Sequence, residues 1–434
     1  MKGMDRFICQ TPLCSSETAF RALFFSLLLL LGVYGALAAG APSEQWNQTF
    51  GGGYGDGAWC LQETDDGGFI LAGNTASRGE GSDLFLVKAD ESGNCTWSRA
   101  YGGSGEDVGY FVQQTDDGGY VVVGSSNSYA MGEELLWLVK VDENGSLIWD
   151  RTFGGFVSSA GDGGWSVEQT TDGGYIATGY TQSSGAGRKD LWLIKTDAMG
   201  GMIWEKSYGG PEDDVGMSVL QSGEGGYVVA GRTASFGEGG GDDIWLLKTD
   251  SLGEEMWNQT YGGRGDDAGF QVVEEDDGYA LVARTESGEV DKRVLLIRVD
   301  QEGEILWENS YLGGSVASLQ PTYDGGYIMA GRIDSNEGKK DALLIKADSE
   351  GVEQWSIRLG GRGDDIGTYA LQSRDGSFLL AGITGSFGQG REDAWLVKLG
   401  ANAAIERHPQ SNLSFSLYPL SSAVPLNSRS INSI

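Results

Sequence analysis

The sequence has 434 residues, including 72 glycines, 7 prolines and 13 tryptophans, and 40% of it is apolar. This composition excludes global disorder, and the lack of a strict third-residue glycine period excludes collagen. A net charge of −32 opposes binding to nucleic acid or to an anionic membrane surface, because both are polyanions.

Residues 1–39 are predicted to be a secretory signal peptide. Lys2, Arg6 and Arg21 precede an apolar run from Ala22 to Ala39 that ends in the small residues ALAAGA. The run has about 18 residues, enough to span a bilayer, so an uncleaved N-terminal anchor is the alternative. Because no second apolar stretch follows, we expect the rest of the chain to be secreted or at the cell surface.

A repeat of about 50 residues occupies residues 42–400. Each unit contains W-x-x-x-Y-G-G, an acidic loop, D-G-G-Y and D-[LI]-W-L-[VI]-K-x-D before the next tryptophan. The seven units begin near the tryptophans of this motif, which we interpret as structural residues: Trp46, Trp97, Trp149, Trp204, Trp257, Trp307 and Trp355. The other six tryptophans are also interpreted as packing residues: Trp59, Trp137, Trp165, Trp192, Trp245 and Trp395.

Each unit predicts four short strands joined by tight turns at Asp-Gly-Gly and after Lys-x-Asp. Strands such as LWLIK are apolar at successive positions, which indicates burial on both faces. Stacked blades bury both faces of a small sheet, so the sequence predicts an all-β, seven-bladed β-propeller of four-stranded blades. The last unit lacks its own Trp strand, and we expect the N-terminal strand EQWNQTF to complete the seventh blade and close the ring.

The repeat T-x-D-G-G-Y-[IV] with L-[VI]-K-x-D-x-x-G-x-x-x-W resembles a group of secreted bacterial and archaeal propeller proteins, mostly without assigned activity. More distantly, the segment from Asp90 to Trp97 resembles the blade motif of the quinoprotein dehydrogenase superfamily. The second resemblance implies a shared fold. It carries over no cofactor-binding residue, because no position of this sequence matches one.

Beyond the repeat, the mature chain contains Cys60 and Cys95, which the strand assignment separates by about 10 Å, too far for a disulfide. Residues 401–434 are Ser/Asn-rich without strand or helix periodicity and are predicted to be a disordered tail. Five N-x-Ser/Thr triplets are candidate glycosylation sites: Asn47, Asn94, Asn144, Asn258 and Asn412.

The loop before each inner strand and the loop between the second and third strands are long and should share one face of the propeller, which we call the long-loop face. The first of these loops repeats an aspartate in six units: Asp56, Asp107, Asp162, Asp214, Asp267 and Asp365. Two interpretations stay open. Each carboxylate fixes its own loop, or neighbouring carboxylates form a Ca²⁺ site. The sixth unit lacks the acidic loop and the fifth replaces its glycine-rich loop with TESGEVDKR, so we expect a ligand gap between blades five and six.

The single histidine, His408, lies in the tail, which excludes Ser-His-Asp, Cys-His and zinc hydrolase chemistry in the folded region. No catalytic residue and no cofactor is predicted, apart from the Ca²⁺ alternative. The sequence leaves catalysis open and favours an exported, non-catalytic module that binds an extracellular protein or glycan through its long-loop face. The alternatives are an extracellular carbohydrate-active enzyme and a quinoprotein-type oxidoreductase.

Overall fold

A computed structural model describes residues 41–78, 81–129, 133–155, 161–237, 239–287, 293–334 and 339–401. The predicted leader, the tail after residue 401 and the Asn412 triplet lie outside these ranges. Within the ranges, we find no helix with the length and apolar character needed to cross a membrane.

The described chain forms 28 strands in seven antiparallel sheets of four strands. The first strand of each sheet contacts its counterparts in the neighbouring sheets and surrounds a central channel. These inner strands are β2 (Asp56–Glu63), β6 (Asp107–Gln114), β10 (Gly163–Gln169), β14 (Asp214–Gln221), β18 (Ala268–Glu275), β22 (Ser315–Pro321) and β26 (Asp365–Gln372). The second strands are β3 (Phe69–Thr75), β7 (Tyr120–Ser126), β11 (Tyr175–Thr181), β15 (Tyr227–Thr233), β19 (Gly278–Thr285), β23 (Tyr327–Asp334) and β27 (Phe378–Thr384).

The two outer positions of each sheet follow in the same order. The third strands are β4 (Asp83–Ala89), β8 (Leu135–Val141), β12 (Asp190–Thr196), β16 (Asp243–Thr249), β20 (Arg293–Asp300), β24 (Lys340–Ala347) and β28 (Asp393–Leu399). The outermost strands are β5 (Cys95–Tyr101), β9 (Leu147–Phe153), β13 (Met202–Tyr208), β17 (Glu255–Tyr261), β21 (Ile305–Leu312), β25 (Glu353–Leu359) and β1 (Glu44–Phe50).

The predicted seven-bladed propeller is confirmed, including its closure. Strand β1 pairs antiparallel with β28, so the N-terminal strand is the outer strand of the seventh blade. The third strands carry the burial expected of a two-sided core, since every residue of β8 and β12 is buried. Cys60 and Cys95 lie on the inner and outer strands of blade one and are both free thiols.

Both tight turns of the repeat have the predicted form. Gly67 in the first Asp-Gly-Gly turn has a φ of 79°, a left-handed conformation that glycine adopts without strain. In the second turn the carboxylate of Asp90 accepts hydrogen bonds from the backbone N–H groups of Ser92 and Asn94. The same pair of bonds recurs at the equivalent aspartates: Asp142, Asp197, Asp250, Asp300 and Asp348.

The repeat tryptophans join neighbouring blades. The ring centroids of Trp46, on the last blade, and Phe69, on the first blade, are 6.3 Å apart. Each of the other six repeat tryptophans contacts the hairpin aromatic of the next blade in the same way. A Cβ placed on the turn glycine Gly93 would lie 2.6 Å from the Trp46 ring. The glycine after each Lys-x-Asp turn therefore leaves room for the tryptophan of the preceding blade.

Each blade also contains one ion pair between a buried basic residue of the third strand and an acidic residue of the first hairpin turn. The lysine side chains are less than 10% exposed, whereas the carboxylates lie at the surface. The seven pairs are Lys88–Asp66, Lys140–Asp117, Lys195–Asp172, Lys248–Glu224, Arg298–Asp277, Lys346–Asp324 and Lys398–Asp375. The ion pair thus ties the turn to the blade from which it projects.

These contacts lower the pKa of the turn carboxylates. Burial raises the pKa of Asp66, but hydrogen bonds from Thr64, Lys88 and the backbone, with the Lys88 charge, outweigh burial and lower the pKa to about 2. The corresponding contacts lower the pKa of Asp172 and Asp375 to about 2. In the unfolded chain an aspartate titrates near pH ~3.9. The stability that these carboxylates contribute is therefore complete above about pH 4 and is lost as the pH falls through about 2.

We expect the free energy of unfolding to fall as the pH is lowered from about 5 to about 2.5, and to fall less in the triple variant Asp66→Asn, Asp172→Asn, Asp375→Asn. Urea unfolding at both pH values measures this difference. Asp116→Asn is the control, because Asp116 is an exposed turn residue whose side chain has no such lysine partner among the described residues. An equal pH dependence in the wild type and the triple variant would contradict the prediction.

Candidate functional site

Every inner strand contains a β-bulge at the same position. In blade one the pairing with β3 shifts between Ala58 and Cys60, which leaves Trp59 as the extra residue. A bulge re-aims the side chain of the extra residue and is common beside functional sites. The seven bulged residues are Trp59, Tyr110, Trp165, Met217, Phe270, Ala317 and Thr368.

In six blades a glycine of the second strand lies opposite this bulge, and in blade five the same position is Ala283. Gly73 pairs with Ala58, immediately before the bulged Trp59. A Cβ on Gly73 would lie 1.8 Å from the carbonyl oxygen of Gly57, so no larger side chain fits unless the inner strand moves. The same close approach recurs at Gly124, Gly179, Gly231, Gly331 and Gly382.

All seven bulged residues line one cavity of about 300 Å³ in the central channel, which we call the channel cup. This volume is at the lower end of the ~300–1,000 Å³ typical of small-ligand pockets. The cup is therefore large enough for a small molecule or for one end of a chain. It is too small to hold the surface of a folded protein.

The wall of the cup is asymmetric. Blades one to five contribute five large apolar side chains, which we call the aromatic crescent: Trp59, Tyr110, Trp165, Met217 and Phe270. The ring centroids of Trp59 and Tyr110 are 6.2 Å apart, and those of Tyr110 and Trp165 are 4.3 Å apart. At the same bulged position, blades six and seven have the smaller residues Ala317 and Thr368, which we call the small-residue gap. An apolar ring entering the cup would therefore contact the crescent on one side and the smaller side chains of Ala317 and Thr368 on the other.

The floor of the cup is formed by the next layer of the inner strands. Phe111 and Tyr369 meet across the channel in an edge-to-face contact with their ring centroids 6.2 Å apart. The hydroxyl of Tyr369 accepts hydrogen bonds from the amide groups of Gln320 at 2.8 Å and Gln271 at 3.3 Å. Burial strongly raises the pKa of Tyr369, so this hydroxyl stays neutral.

Hydrogen bonds between blades hold this floor in place. Ser166 Oγ accepts from the backbone N–H of Val219 in the next blade, and Gln271 Oε1 accepts from that of Leu319. Because these bonds link the side chain of one inner strand to the backbone of the next, the layer is fixed before any ligand arrives. A site built in this way loses little conformational entropy on binding.

The polar groups at the cup include several hydrogen-bond donors. The indole N–H of Trp59 donates to Asn74 Oδ1 at 3.0 Å, but that of Trp165 is buried and has no acceptor among the described residues. Arg284 and Arg332 also line the cup. They pair with Ala268 and Ser315 at the long-loop end of the inner strands. A ligand rich in acceptor oxygens matches this set of donors.

The six repeat aspartates fix the loops of the same face. Asp214 is fully buried and accepts hydrogen bonds from the backbone N–H of Gly210 at 2.8 Å, from Ser235 Oγ at 2.7 Å and from Thr233 Oγ1. Equivalent bonds reach the carboxylates of the other five: Asp56, Asp107, Asp162, Asp267 and Asp365. No group of three or more metal-ligating side chains occurs within the described ranges. Calcium binding by these aspartates stays a prediction.

The departure predicted for blade six borders the cup. Gly314 stands where six other units have the aspartate, and both Gly313 and Gly314 have positive φ values, 77° and 87°. The ligand gap predicted from the sequence lies between blades five and six. The small side chains of the wall belong instead to blades six and seven. Blade five contributes Arg284 to the lining. Residues 288–292 of the unusual fifth-blade loop lie outside the described part of the chain.

Trp59 and Trp165, which the sequence predicts to be packing residues, both lie in the wall of the cup. The signal that could have found the wall is its spacing, since in six units the bulged residue follows the repeat aspartate by three positions. Four candidate glycosylation sites lie away from the cup, on outer strands or outer turns. Three of these are exposed, namely Asn94, Asn144 and Asn258, and Asn47 is half-buried on β1.

The chain matches no protein-family model, and no curated protein matches it. Among solved structures it is similar to a Bacteroides caccae protein of unknown function, with 13% identity over 67% of this chain and 93% of that one and a TM-score of 0.42. Drosophila Plexin A, solved in complex with Semaphorin 1b, is 8% identical over 83% and 88% of the two chains, with a TM-score of 0.47. A glucose dehydrogenase is 12% identical over 82% and 100%, with a TM-score of 0.40. The fold assignment rests on the strand pairing described above.

Proposed function

We propose that this propeller is an exported, non-catalytic module that binds a glycan in the channel cup on its long-loop face. The observation that carries the proposal is the aromatic crescent, which places Trp and Tyr rings in the wall of a preformed cavity. Such rings bury a large apolar area and lose little conformational entropy, which suits the C–H faces of a sugar ring. The donors around the cup, among them Trp165 and the two arginines, suit the hydroxyl oxygens of the same ring.

The lining of the cup supports binding rather than hydrolysis. No Asp, Glu, His, Lys or Cys occurs among its described lining residues, and these types supply most general acids and bases. Two tyrosines are present. Burial, with a contribution from the charge of Glu134, raises the pKa of Tyr110, and burial raises that of Tyr369, so neither is a good base near neutral pH. Hydrolysis by a pair of carboxylates would need acidic groups that this lining does not supply.

An oligosaccharide array tests the proposal. The full-length chain, kept soluble in a non-glycosidic detergent because of its apolar segment, is applied to the array and detected by antibody. Bound sugars are then incubated with the protein and separated by chromatography. We expect binding of at least one oligosaccharide class without cleavage. Absence of any bound glycan would overturn the glycan assignment, and cleavage would overturn the non-catalytic one.

Filling the small-residue gap is expected to abolish glycan binding. Ala317 is exposed in the cup, so Ala317→Trp places a large ring in free space without crowding the core. The added ring would occupy the volume that the ligand needs, and we expect the affinity to fall at least tenfold. The thermal midpoint should stay close to that of the wild type. Ala317→Ser is the matched control and should bind normally, whereas unchanged binding by Ala317→Trp would place the site elsewhere.

A further inference from the structure

The charges of the channel cup differ from those of the whole protein. The chain carries 62 acidic and 30 basic residues. Yet Arg284 and Arg332 are the two charged side chains among the described residues that line the cup. Both belong to second strands, on blades five and six, and both lie beside the small-residue gap. A ligand that stacks on the aromatic crescent and extends into the gap would therefore meet cationic groups there.

The two arginines are held differently. Arg284 is half-buried, and its Nε lies 3.8 Å from Glu286 Oε1, so part of its charge is compensated by a neighbour. Arg332 is exposed, and its guanidinium group has no hydrogen bond or ion pair with another described residue. By contrast, the equivalent residue of blade four, Arg232, forms a close ion pair with Asp242. Among the arginines at this position of the repeat, Arg332 is therefore the one whose charge is available to a ligand anion.

We propose that the channel cup selects anionic sugars, with Arg332 as the main ligand for the anionic group and Arg284 as a second donor. This inference rests on the proposed glycan binding. The guanidinium group presents N–H donors in a planar fork that fits a carboxylate or a sulfate with two parallel hydrogen bonds. Both anions share this chemistry, and a uronate or a sulfated sugar supplies it on a ring whose C–H face can stack on the crescent.

The test compares neutral, uronate-containing and sulfated oligosaccharides on one array, using the full-length wild-type chain and Arg332→Gln. We expect the wild type to bind an anionic oligosaccharide at least tenfold more tightly than its neutral counterpart, because a hydrogen bond to a charged group is stronger than one to a neutral group. The uronate and sulfate arms identify which anion is preferred. In Arg332→Gln we expect the affinity for the anionic oligosaccharide to fall at least tenfold more than the affinity for its neutral counterpart.

Arg362→Gln is the matched control, since Arg362 is an exposed arginine in the blade-seven loop that does not line the cup. Arg284→Gln is the second variant and should weaken the preference less than Arg332→Gln. If neutral and anionic sugars bind equally, or if Arg332→Gln keeps the preference, the inference is overturned and glycan binding stands. If no sugar of any class binds, glycan binding itself is overturned.

Discussion

Replacing Asp214 by alanine is expected to lower the free energy of unfolding by about 3 kcal/mol. The carboxylate is fully buried and joins the loop before the inner strand to the end of the second strand and the loop after it. Its removal leaves a buried donor on Thr233 and partly buried donors on Gly210 and Ser235 without their acceptor. An unsatisfied buried donor costs about 1–3 kcal/mol, and a partly buried one costs less because water reaches it. Equilibrium unfolding in urea measures the change.

Asp116→Ala is the matched control for this variant, because Asp116 is exposed and should change stability by less than about 0.5 kcal/mol. A loss for Asp214→Ala no larger than that of Asp116→Ala would contradict a structural role for the carboxylate. The calcium interpretation makes a different prediction. An ion that binds the native carboxylates raises the thermal midpoint in excess Ca²⁺, and chelator reverses the rise. The local hydrogen bonds predict the same midpoint in both solutions.

Replacing Tyr110 by alanine is expected to weaken glycan binding about 30-fold. Tyr110 lies between Trp59 and Trp165 in the crescent, and truncation of an aromatic side chain that anchors a ligand typically costs about 2 kcal/mol of binding energy. Isothermal titration with the array-selected oligosaccharide measures the loss. Because the Tyr110 side chain is only half-buried, the variant should remain folded, which a thermal melt checks.

Tyr110→Phe separates the ring from its hydroxyl. If stacking on the ring supplies the affinity, Tyr110→Phe should bind within about threefold of the wild type. Full loss in both variants would assign the contribution to the hydroxyl group, and normal binding by Tyr110→Ala would show that the ligand does not contact the crescent.

The fold could be predicted from the sequence because each blade repeats the same local rules. Successive apolar positions such as LWLIK predict two-sided burial, Asp-Gly-Gly predicts a turn with a left-handed glycine, and the unpaired strand around Trp46 predicts ring closure. Each of these features depends on residues close together in the chain or on the repeat itself, so one sequence suffices to find it.

The ion pairs and the cup could not be predicted in the same way. Lys88 and Asp66 are 22 residues apart, and only the register of β4 against the β2–β3 turn brings them together. The wall of the cup depends on seven bulges, each of which turns one side chain by breaking the alternation that a strand predicts. The sequence therefore predicts only packing roles for Trp59 and Trp165, because a bulge is visible only once the pairing with the second strand is known.

The blade that departs from the repeat indicates the position of the site better than the repeated aspartates do. The missing aspartate of blade six was visible in the sequence, and the structure places Gly314 next to Ser315, Val316 and Ala317, which line the cup. In the other six blades the aspartate accepts hydrogen bonds from equivalent groups of the loops, so those loops are alike. Where the aspartate is absent, the wall side chain is also small and the neighbouring Arg332 is exposed.

The measurement that tests the account most directly is glycan binding by the wild type and by Ala317→Trp on the same oligosaccharide array. The account predicts a bound oligosaccharide for the wild type and at least a tenfold loss for Ala317→Trp, with equal thermal midpoints for the two proteins. Equal glycan signals from both proteins, or no signal from either, would contradict the assignment of the channel cup as a glycan site.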